Sequence, residues 1–402
     1  MKVFFTLLFA LIFVSCTKEI SQPTEGDWRV VLDLGDGKEL PFKMTYKANN
    51  SIVFYNAEEE VEITDVAMVN DSISIEHPVF EGVFKGVFTD KLIEGDFIKP
   101  SLDRVVPFRM TFGFTSRFEN IDASSKDITG NWETVFSPNT EEDRYIAKGI
   151  FKQTGNLVTG TFRTTTGDYR YLEGAMDGDS LRLSTFDGAH AFLFEAKVTD
   201  STLQGDFYSG NHWKEPFVAK RNETYELPDA NSLTFLKEGY DSFNFSFPDT
   251  DGKLVSLSDA QFENKVVVVQ IMGTWCPNCL EETQYYTEYL ANNPSNELAF
   301  VSLAFEYAST KERAIKGINR LKERVGVPYP ILLAQYESSD KGKANDKLPM
   351  LNHVLSYPTT IFIDKSGEVR KIHTGFNGKA TGEKHEEFTS EFESFLATLL
   401  NE

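Results

Sequence analysis

The fold of the second half of this chain is decided by residues 265–279, which read Lys265-Val266-Val267-Val268-Val269-Gln270-Ile271-Met272-Gly273-Thr274-Trp275-Cys276-Pro277-Asn278-Cys279. The run up to Met272 is apolar and rich in β-branched residues, which predicts a buried strand. A helical pattern over residues 280–290 follows almost at once. A buried strand that leads directly into a helix is typical of an α/β domain.

The alternation of strands and helices extends from Tyr240 to the end of the chain. The patterns predict further strands over residues 298–305, 330–334, 359–363 and 369–373, and further helices over residues 310–325 and 388–400. We therefore predict an α/β domain over residues 240–402.

The two cysteines of the opening segment lie where the predicted strand meets the predicted helix. Cys276 stands at the helix N-terminus, where unsatisfied backbone N–H groups and the helix dipole favour a thiolate. Cys279 lies one turn further along the same face, so the pair can close a tight disulfide and Cys279 can resolve a mixed disulfide. Pro277 falls in the first turn, where its missing N–H costs nothing. Trp275 is expected to shield one side of the disulfide.

Two other uses of the C-x-x-C pair are disfavoured. A structural zinc needs about four ligands, and the sequence has no second C-x-x-C and no neighbouring His pair. A purely structural disulfide across so small a loop would restrict the unfolded chain very little. We therefore predict a chemically active pair, no metal site and no cofactor.

Composition excludes several classes of protein. The chain has 402 residues, 41% of them apolar, which is enough for two or three folded domains and rules out wholesale disorder. Its formal charge is −21, which makes nucleic acid an unfavourable ligand. The three cysteines are Cys16, Cys276 and Cys279, so a pairing apart from the C-x-x-C has few candidates.

Residues 27–222 are predicted to be all-β, because short alternating runs are separated by Gly, Asp and Asn. Four motifs recur in order at offsets near 108 residues, which indicates two antiparallel repeats, 27–120 and 121–222. The recurring pairs are Gly26-Asp27-Trp28 with Gly130-Asn131-Trp132, Asp71–Ile75 with Asp179–Leu183, Glu94–Phe97 with Gln204–Phe207, and Pro107-Phe108 with Pro216-Phe217. Two arrangements fit this pattern: each repeat closes its own barrel or sandwich, or both repeats share one larger sheet. Residues 223–239 are predicted to be a linker, and His190 and His212 to be turn or surface residues.

The N-terminus predicts export. Lys2 precedes an uncharged run over residues 3–14, which is typical of a secretory signal peptide and too short to span a membrane. The stretch Phe13-Val14-Ser15-Cys16 resembles a bacterial lipobox. That resemblance implies a signal peptide over residues 1–15, lipid attachment at Cys16 and a lipidated tether over residues 16–26. We expect a lipid-anchored protein of the bacterial cell envelope, on the outer membrane and facing the periplasm.

The C-terminal domain resembles the thioredoxin-like proteins of the TlpA/ResA type. Three blocks carry the resemblance: residues 245–259, the Trp-Cys-x-x-Cys block, and Tyr357–Asp364 followed by Ser366-Gly367. It implies a thioredoxin-like fold and the activity of a thiol–disulfide oxidoreductase.

The resemblance also assigns roles to individual residues. Pro358 matches the family's cis-proline, and Tyr357 and Trp275 are expected to contact an extended substrate. Glu282 matches a family glutamate that transfers a proton to or from Cys279. Its alternative role is that of an acidic residue favoured in the first turn of a helix. Gln270 departs from the pattern, since thioredoxins often carry a buried Asp there.

Two functions follow as hypotheses. The leading one is a membrane-tethered oxidoreductase that exchanges disulfides with client proteins, as a reductase rather than an oxidase. It would take electrons from a membrane thiol reductase. The alternative is a binding lipoprotein whose thioredoxin-like part is a vestigial scaffold. The Pro277-Asn278 dipeptide between the cysteines leaves the direction of electron flow open.

Overall fold

The computed structural model describes residues 22–114 and 116–402. The predicted signal peptide and the predicted lipidation site at Cys16 lie outside the described residues. Thr24, assigned to the tether, already belongs to the fold, because its carbonyl accepts a hydrogen bond from Trp28 Nε1 at 2.9 Å.

The first part of the fold is an open, antiparallel sheet of nine strands. Its strands are β1 (Gly26–Gly35), β2 (Lys38–Tyr46), β3 (Ile52–Asn56), β4 (Glu59–Ile63), β5 (Asp65–Val69), β6 (Ser72–Glu76), β7 (Val83–Phe88), β8 (Leu92–Lys99) and β9 (Arg104–Phe112). Their order is β4-β3-β2-β1-β9-β8-β7-β6-β5. Alternate residues of β1 face the core, with Trp28, Val30 and Leu32 fully buried, as the period of two requires.

The second part is a barrel-like sheet with a similar succession of strands. Its strands are β10 (Gly130–Phe136), β11 (Tyr145–Thr154), β12 (Leu157–Thr164), β13 (Gly167–Asp168), β14 (Leu172–Asp177), β15 (Ser180–Phe186), β16 (Ala191–Val198), β17 (Thr202–Ser209) and β18 (Trp213–Arg221). The order is β11-β10-β18-β17-β16-β15-β14-β12-β13, and β11 also pairs with β12. That extra pairing closes the sheet, and Trp132, Phe136 and Phe162 fill its interior.

The recurring motifs occupy corresponding places in the two sheets. Trp28 Nε1 donates to the carbonyl four residues earlier, and so does Trp132 Nε1. Asp96 of β8 pairs with Pro107 of β9, as Asp206 of β17 pairs with Pro216 of β18. The region therefore consists of two separate sheets, one open and one closed, rather than one larger sheet. Their origin by duplication stays a prediction.

The two sheets pack against each other. Phe186, Leu193 and Tyr208 of the second sheet belong to the apolar core of the first. The buried Arg117 guanidinium crosses the boundary, donating to the Tyr55 carbonyl and to Ser184 Oγ. A shared core and a buried cation make the β region one body.

The third part is an α/β domain whose central sheet has five strands. Its elements in chain order are β19 (Ser246–Pro248), β20 (Leu254–Ser256), β21 (Val266–Met272), α1 (Pro277–Asn292), β22 (Leu298–Phe305), α2 (Lys311–Val325), β23 (Ile331–Gln335), α3 (Lys341–Lys347), β24 (Thr359–Ile363), β25 (Val369–Thr374) and α4 (Glu383–Asn401). The order is β23-β22-β21-β24-β25, in which β21, β22 and β23 are parallel, β24 is antiparallel to β21, and β25 is antiparallel to β24.

The predicted α/β elements are present, with two differences. Helix α3 was not predicted, because its sequence lacks an apolar period and only Asp340, which caps Gly342 N and Lys343 N, signals it. Helix α4 begins at Glu383 rather than Phe388, since its first turn is polar and acidic residues favour a helix N-terminus. No helix within the described residues is both long and apolar enough to cross a membrane.

Much of the predicted linker is attached to the α/β domain. The Ala230 carbonyl accepts from Thr374 N at 3.0 Å, and Leu236 forms a β-bridge with Leu351. Residues 230–236 thus pack as part of the α/β domain instead of spanning open space.

Candidate active site

Cys276 caps the N-terminus of α1 with its sulfur. Its backbone is extended, at φ −100° and ψ 115°, and its Sγ accepts a hydrogen bond from Cys279 N at 3.2 Å. The same thiol donates to the Tyr357 carbonyl at 3.3 Å. Both cysteines are free thiols, and Cys276 is 6% exposed while Cys279 is fully buried. The arrangement presents Cys276 as the outer sulfur and Cys279 as the inner one.

Behind Cys279 lies a buried carboxyl group, that of Glu282. Gln270 Nε2 donates to Glu282 Oε2 at 2.8 Å, and Thr360 Oγ1 donates to Oε1 at 3.0 Å. Burial outweighs these hydrogen bonds and raises the pKa of Glu282 to about 7. Burial also raises the pKa of Cys279 well above its ordinary value, and the Glu282 charge adds to that effect. A carboxyl poised near neutral pH beside a buried thiol is suited to proton exchange.

Gln270 holds this carboxyl in place. Its Oε1 accepts from Ser302 Oγ at 2.7 Å and from Thr283 Oγ1 at 3.2 Å, which leaves the amide N–H groups for Glu282 and the Cys279 carbonyl. The position where thioredoxins often carry an Asp therefore supports Glu282 instead of titrating itself.

Aromatic side chains frame the outer sulfur. Trp275 stacks on Tyr307 with ring centroids 3.9 Å apart, and its Nε1 donates to the Phe305 carbonyl at 2.9 Å. The ring of Tyr357 meets Trp275 edge-on at 5.5 Å. The peptide bond between Tyr357 and Pro358 is cis. The structure thus brings together Trp275, Cys276, Tyr357 and Pro358, all of which the sequence singles out.

Two residues of the site were missed from the sequence. Tyr307 supplies the stacking partner of Trp275, and Glu306 is buried beside it. The Glu306 carboxylate accepts from Thr274 N at 2.8 Å and from Thr274 Oγ1 at 2.7 Å, and burial raises its pKa to about 7. The sequence does contain an indication that Glu306 belongs to the site. Glu306 follows directly after an apolar parallel strand, at the sheet edge that carries the cysteines.

The β region packs directly on this site. Asn278 Nδ2 donates to the Asp168 carbonyl at 3.1 Å, and Ser356 Oγ donates to the Thr166 carbonyl at 2.6 Å. Gly167 lies between these contacts at φ +140°, and a Cβ there would collide with the Asn278 amide. Val79 and Phe80, in the loop after β6, share an apolar cluster with both cysteines.

A buried ion-pair network fixes the same contact. Arg170 pairs with Glu59 of the first sheet at 2.5 Å and also with Glu281 of α1. Glu281 Oε1 in turn accepts from Lys379 N at 2.8 Å. One guanidinium thus links both sheets to the helix that carries the cysteines.

The predicted turn histidines His190 and His212 line a cavity beside Trp275. His190 Nδ1 contacts Asp187 Oδ2 at 3.1 Å within a turn, and burial together with Arg104 and Lys99 lowers the pKa of His212 to about 4. In the described part of the chain, no group of three or more His, Cys, Asp or Glu side chains is arranged to hold a metal ion.

In this site a dithiol lies at the N-terminus of a helix that follows a parallel strand, and a cis-proline loop lies opposite. This arrangement defines the class of thioredoxin-like thiol–disulfide oxidoreductases. Comparisons with known proteins agree. Residues 237–387 match the Redoxin family. The thiol-disulfide oxidoreductase ResA of Bacillus subtilis strain 168 is 31% identical over 142 residues, which are 35% of this chain and 69% of that protein.

Two further similarities fall on the same domain. The thioredoxin-like protein YneN of Bacillus subtilis strain 168 is 29% identical over 140 residues, 35% of this chain and 73% of that protein. A solved thiol-disulfide oxidoreductase from Bacteroides fragilis NCTC 9343 is 16% identical over 37% of this chain and 99% of its own, with a TM-score of 0.27. Through its C-terminal domain the chain belongs to the ResA family of thiol–disulfide oxidoreductases, which confirms the predicted family and enzyme class.

Proposed function

We propose that this protein is a reductase of disulfides in client proteins, acting through Cys276 and Cys279. The observation that carries the proposal is the position of Cys276 Sγ, which caps α1 and contacts the Tyr357 carbonyl beside the cis-proline. The backbone before the cis-proline suits pairing with an extended client segment that bears a disulfide. Trp275 and Tyr357 provide the aromatic surface for that segment.

The reaction consists of two exchanges. The Cys276 thiolate attacks one client sulfur, so that the client S–S bond breaks, a mixed disulfide forms and the client gains one thiol. Glu282 then accepts the proton of the Cys279 thiol, and Cys279 attacks the Cys276 sulfur. The second client thiol leaves, and the enzyme keeps a Cys276–Cys279 disulfide. Two electrons have passed from the enzyme dithiol to the client, and a membrane thiol reductase is the proposed source for their replacement.

The surroundings of Cys279 support the reducing direction. Strongly oxidising pairs have a dithiol form that is stabilised as a thiolate. Here burial and the Glu282 carboxylate disfavour the thiolate of Cys279. The inner thiol therefore adds no thiolate stabilisation to the dithiol form, which favours reduction of the client, whereas the position of Cys276 at the helix N-terminus acts in the opposite direction.

Insulin reduction tests the proposal. The wild-type protein with dithiothreitol is expected to accelerate insulin precipitation, and Cys276→Ser to abolish that acceleration. Cys279→Ser is expected to trap a mixed disulfide with the client, since the resolving thiol is missing. Unchanged insulin reduction by Cys276→Ser would exclude Cys276 as the nucleophile.

We also propose that Cys16 carries lipid and that the protein faces the periplasm from the outer membrane. The support is the Phe13–Cys16 stretch, which resembles a lipobox after a short apolar run. Metabolic labelling with a fatty acid is expected to mark the wild-type chain and not Cys16→Ala. A labelled Cys16→Ala chain would contradict this assignment.

The proposed domain division is a signal peptide over 1–15, a tether over 16–26, β repeats over 27–120 and 121–222, a linker over 223–239 and the thioredoxin-like domain over 240–402. The matching places of Trp28 and Trp132 support an origin of the repeats by duplication. Limited proteolysis with mass mapping is the test, and we expect cuts before residue 26 rather than between the repeats.

A further inference from the structure

Two connected cavities lie beside the aromatic frame of the site, between the β region and the α/β domain. Their volumes are about 320 and 410 Å³. Both are lined by Lys99, Leu102, Ala189, Trp275 and Tyr307, so they form one groove that passes the residue next to Cys276. We call this space the basic groove, for the charges described next.

Five cationic side chains line the basic groove. Lys99 and Arg104 come from the β region, and Arg313, Lys316 and Arg320 come from α2. Among the described residues, none of the five has a carboxylate oxygen within 4.0 Å. Lys99 Nζ instead donates to the Ala189 carbonyl at 2.7 Å, and Arg320 Nη1 donates to the Phe80 carbonyl at 3.1 Å. Within the described part of the chain, none of these five cations therefore forms an ion pair with a carboxylate.

The acidic residues of the groove do not offset this charge fully. They are Glu81, Glu306 and Glu337. Glu306 turns inward to Thr274, and Glu81 Oε2 accepts from Ser101 N at 2.9 Å. Burial lowers the pKa of Lys99 to about 8 and Arg104 adds to that effect, while Asp187 and Glu81 act in the opposite direction. A positive groove in a chain of charge −21 is a local exception that points to an anionic occupant.

We infer that the basic groove binds an acidic segment of the client, next to the disulfide that Cys276 attacks. This inference rests on the proposed reductase function and specifies its substrate class. The groove joins apolar surfaces of Phe80, Leu102 and Trp275 to the five cations, which suits an extended peptide with carboxylates. Charge complementarity of this kind accelerates encounter and selects partners.

Matched peptides test the inference with the full-length reduced protein. Three peptides carry the same intramolecular disulfide, flanked by Asp and Glu, by Ser, or by Lys. We expect kcat/KM for the acidic peptide to exceed that for the Ser peptide by about tenfold, a ratio that several partly screened ion pairs supply. The ratio should shrink towards one at 1 M salt, where screening acts within about 3 Å.

A charge reversal on α2 locates the effect. In Arg313→Glu/Lys316→Glu we expect the acidic-to-Ser ratio to fall to one or below. The control Lys311→Glu/Lys322→Glu makes the same charge change on the same helix, outside the groove, and should keep the ratio. Thermal unfolding of both variants verifies that they fold.

The outcomes separate the two proposals. Equal rates for all three peptides overturn the inference and leave the reductase function standing. A ratio that survives Arg313→Glu/Lys316→Glu also overturns the inference, because the selectivity would then lie elsewhere. Failure to reduce any of the peptides overturns the reductase function and the inference together.

Discussion

Glu282 joins the inner thiol to the buried polar groups behind it. Its carboxyl accepts hydrogen bonds from Gln270 and Thr360, yet burial keeps its pKa near 7. The group is therefore charged above about pH 7 and neutral below it. Only the charged form can accept the proton of Cys279.

Glu282→Gln should slow the resolving exchange. The loss of a positioned base costs about 10²-fold, and the rise of the wild-type rate through about pH 7 should disappear, because glutamine does not titrate. Quenched-flow release of the client thiol between about pH 5.5 and 8.5 measures both effects. Glu306→Gln is the control, since Glu306 bonds to Thr274 instead. An unchanged pH profile in Glu282→Gln would assign Glu282 a structural role alone.

The same carboxyl should make stability depend on pH. Its folded-state pKa of about 7 lies above the ordinary glutamate pKa of 4.5, so the folded state binds the proton more tightly. Its contribution to stability is full below about pH 4.5 and is lost as pH rises through about 7. Urea unfolding at pH 5 and pH 8 should show a loss that is smaller in Glu282→Gln than in the wild type by on the order of 2–3 kcal/mol, because Glu306, whose pKa is also about 7, contributes to the loss in both. An equal loss in the variant would refute the assignment.

Individual residues differ in how far the sequence reveals them. Cys276, Cys279 and Glu282 lie on one helix, and their relation follows from local spacing. Glu306 and Tyr307 reach the site because β22 lies beside β21, and the sequence indicates only that they follow an apolar strand. Strand pairing brings together residues that are distant in the sequence, and local sequence patterns do not reveal which strands pair.

At the scale of elements, α1 and the turn at Thr166–Arg170 form one contact. The Asn278 amide donates to Asp168, and Gly167 approaches it so closely that a Cβ would collide. The second residue of the Pro-Asn dipeptide is thus held by the β region. Any effect of Asn278 on the reduction potential of the cysteine pair therefore depends on that contact.

Gly167→Ala should loosen the β region from α1 and expose Cys276. We expect faster reaction of Cys276 with iodoacetamide and a destabilisation of about 1–3 kcal/mol, since the new Cβ overpacks the contact. Gly155→Ala is the matched control, because Gly155 also has a positive φ, +61°, but nothing lies within 4 Å of its Cβ position. Equal alkylation rates in both variants would show that the turn does not cover the thiol.

Helices and strands are predicted correctly where their apolar residues follow a regular pattern in the sequence. The strand at 359–363 was predicted with its observed bounds, because apolar β-branched residues end at a turn signal. Helix α3 has no such period and was missed, since its position follows from packing of the loop against β23.

At the scale of the whole molecule, Arg170 connects three parts of the fold. It is buried and faces Glu59 of the first sheet and Glu281 of α1. Neither contact follows from the sequence, because the three residues belong to separate regions of the chain. Docking between parts of a fold depends on surfaces that form only after each part has folded.

Arg170→Met should destabilise the protein strongly. It leaves two buried carboxylates without their cation, which typically costs about 3–5 kcal/mol. Lys197→Met is the control, since it breaks an exposed ion pair with Asp179 and should leave stability almost unchanged. Chemical unfolding of both variants measures the difference. Equal losses would mean that the network contributes little.

The reduction potential of the Cys276–Cys279 couple tests the central claim most directly. Equilibration of the full-length protein against glutathione buffers, followed by alkylation, gives the fraction of dithiol at each potential. If the protein is a reductase in which the Cys279 thiolate is disfavoured, the reduction potential of the couple should be about −270 mV. A reduction potential of about −120 mV would make the protein an oxidant of thiols and contradict the proposed direction of electron flow.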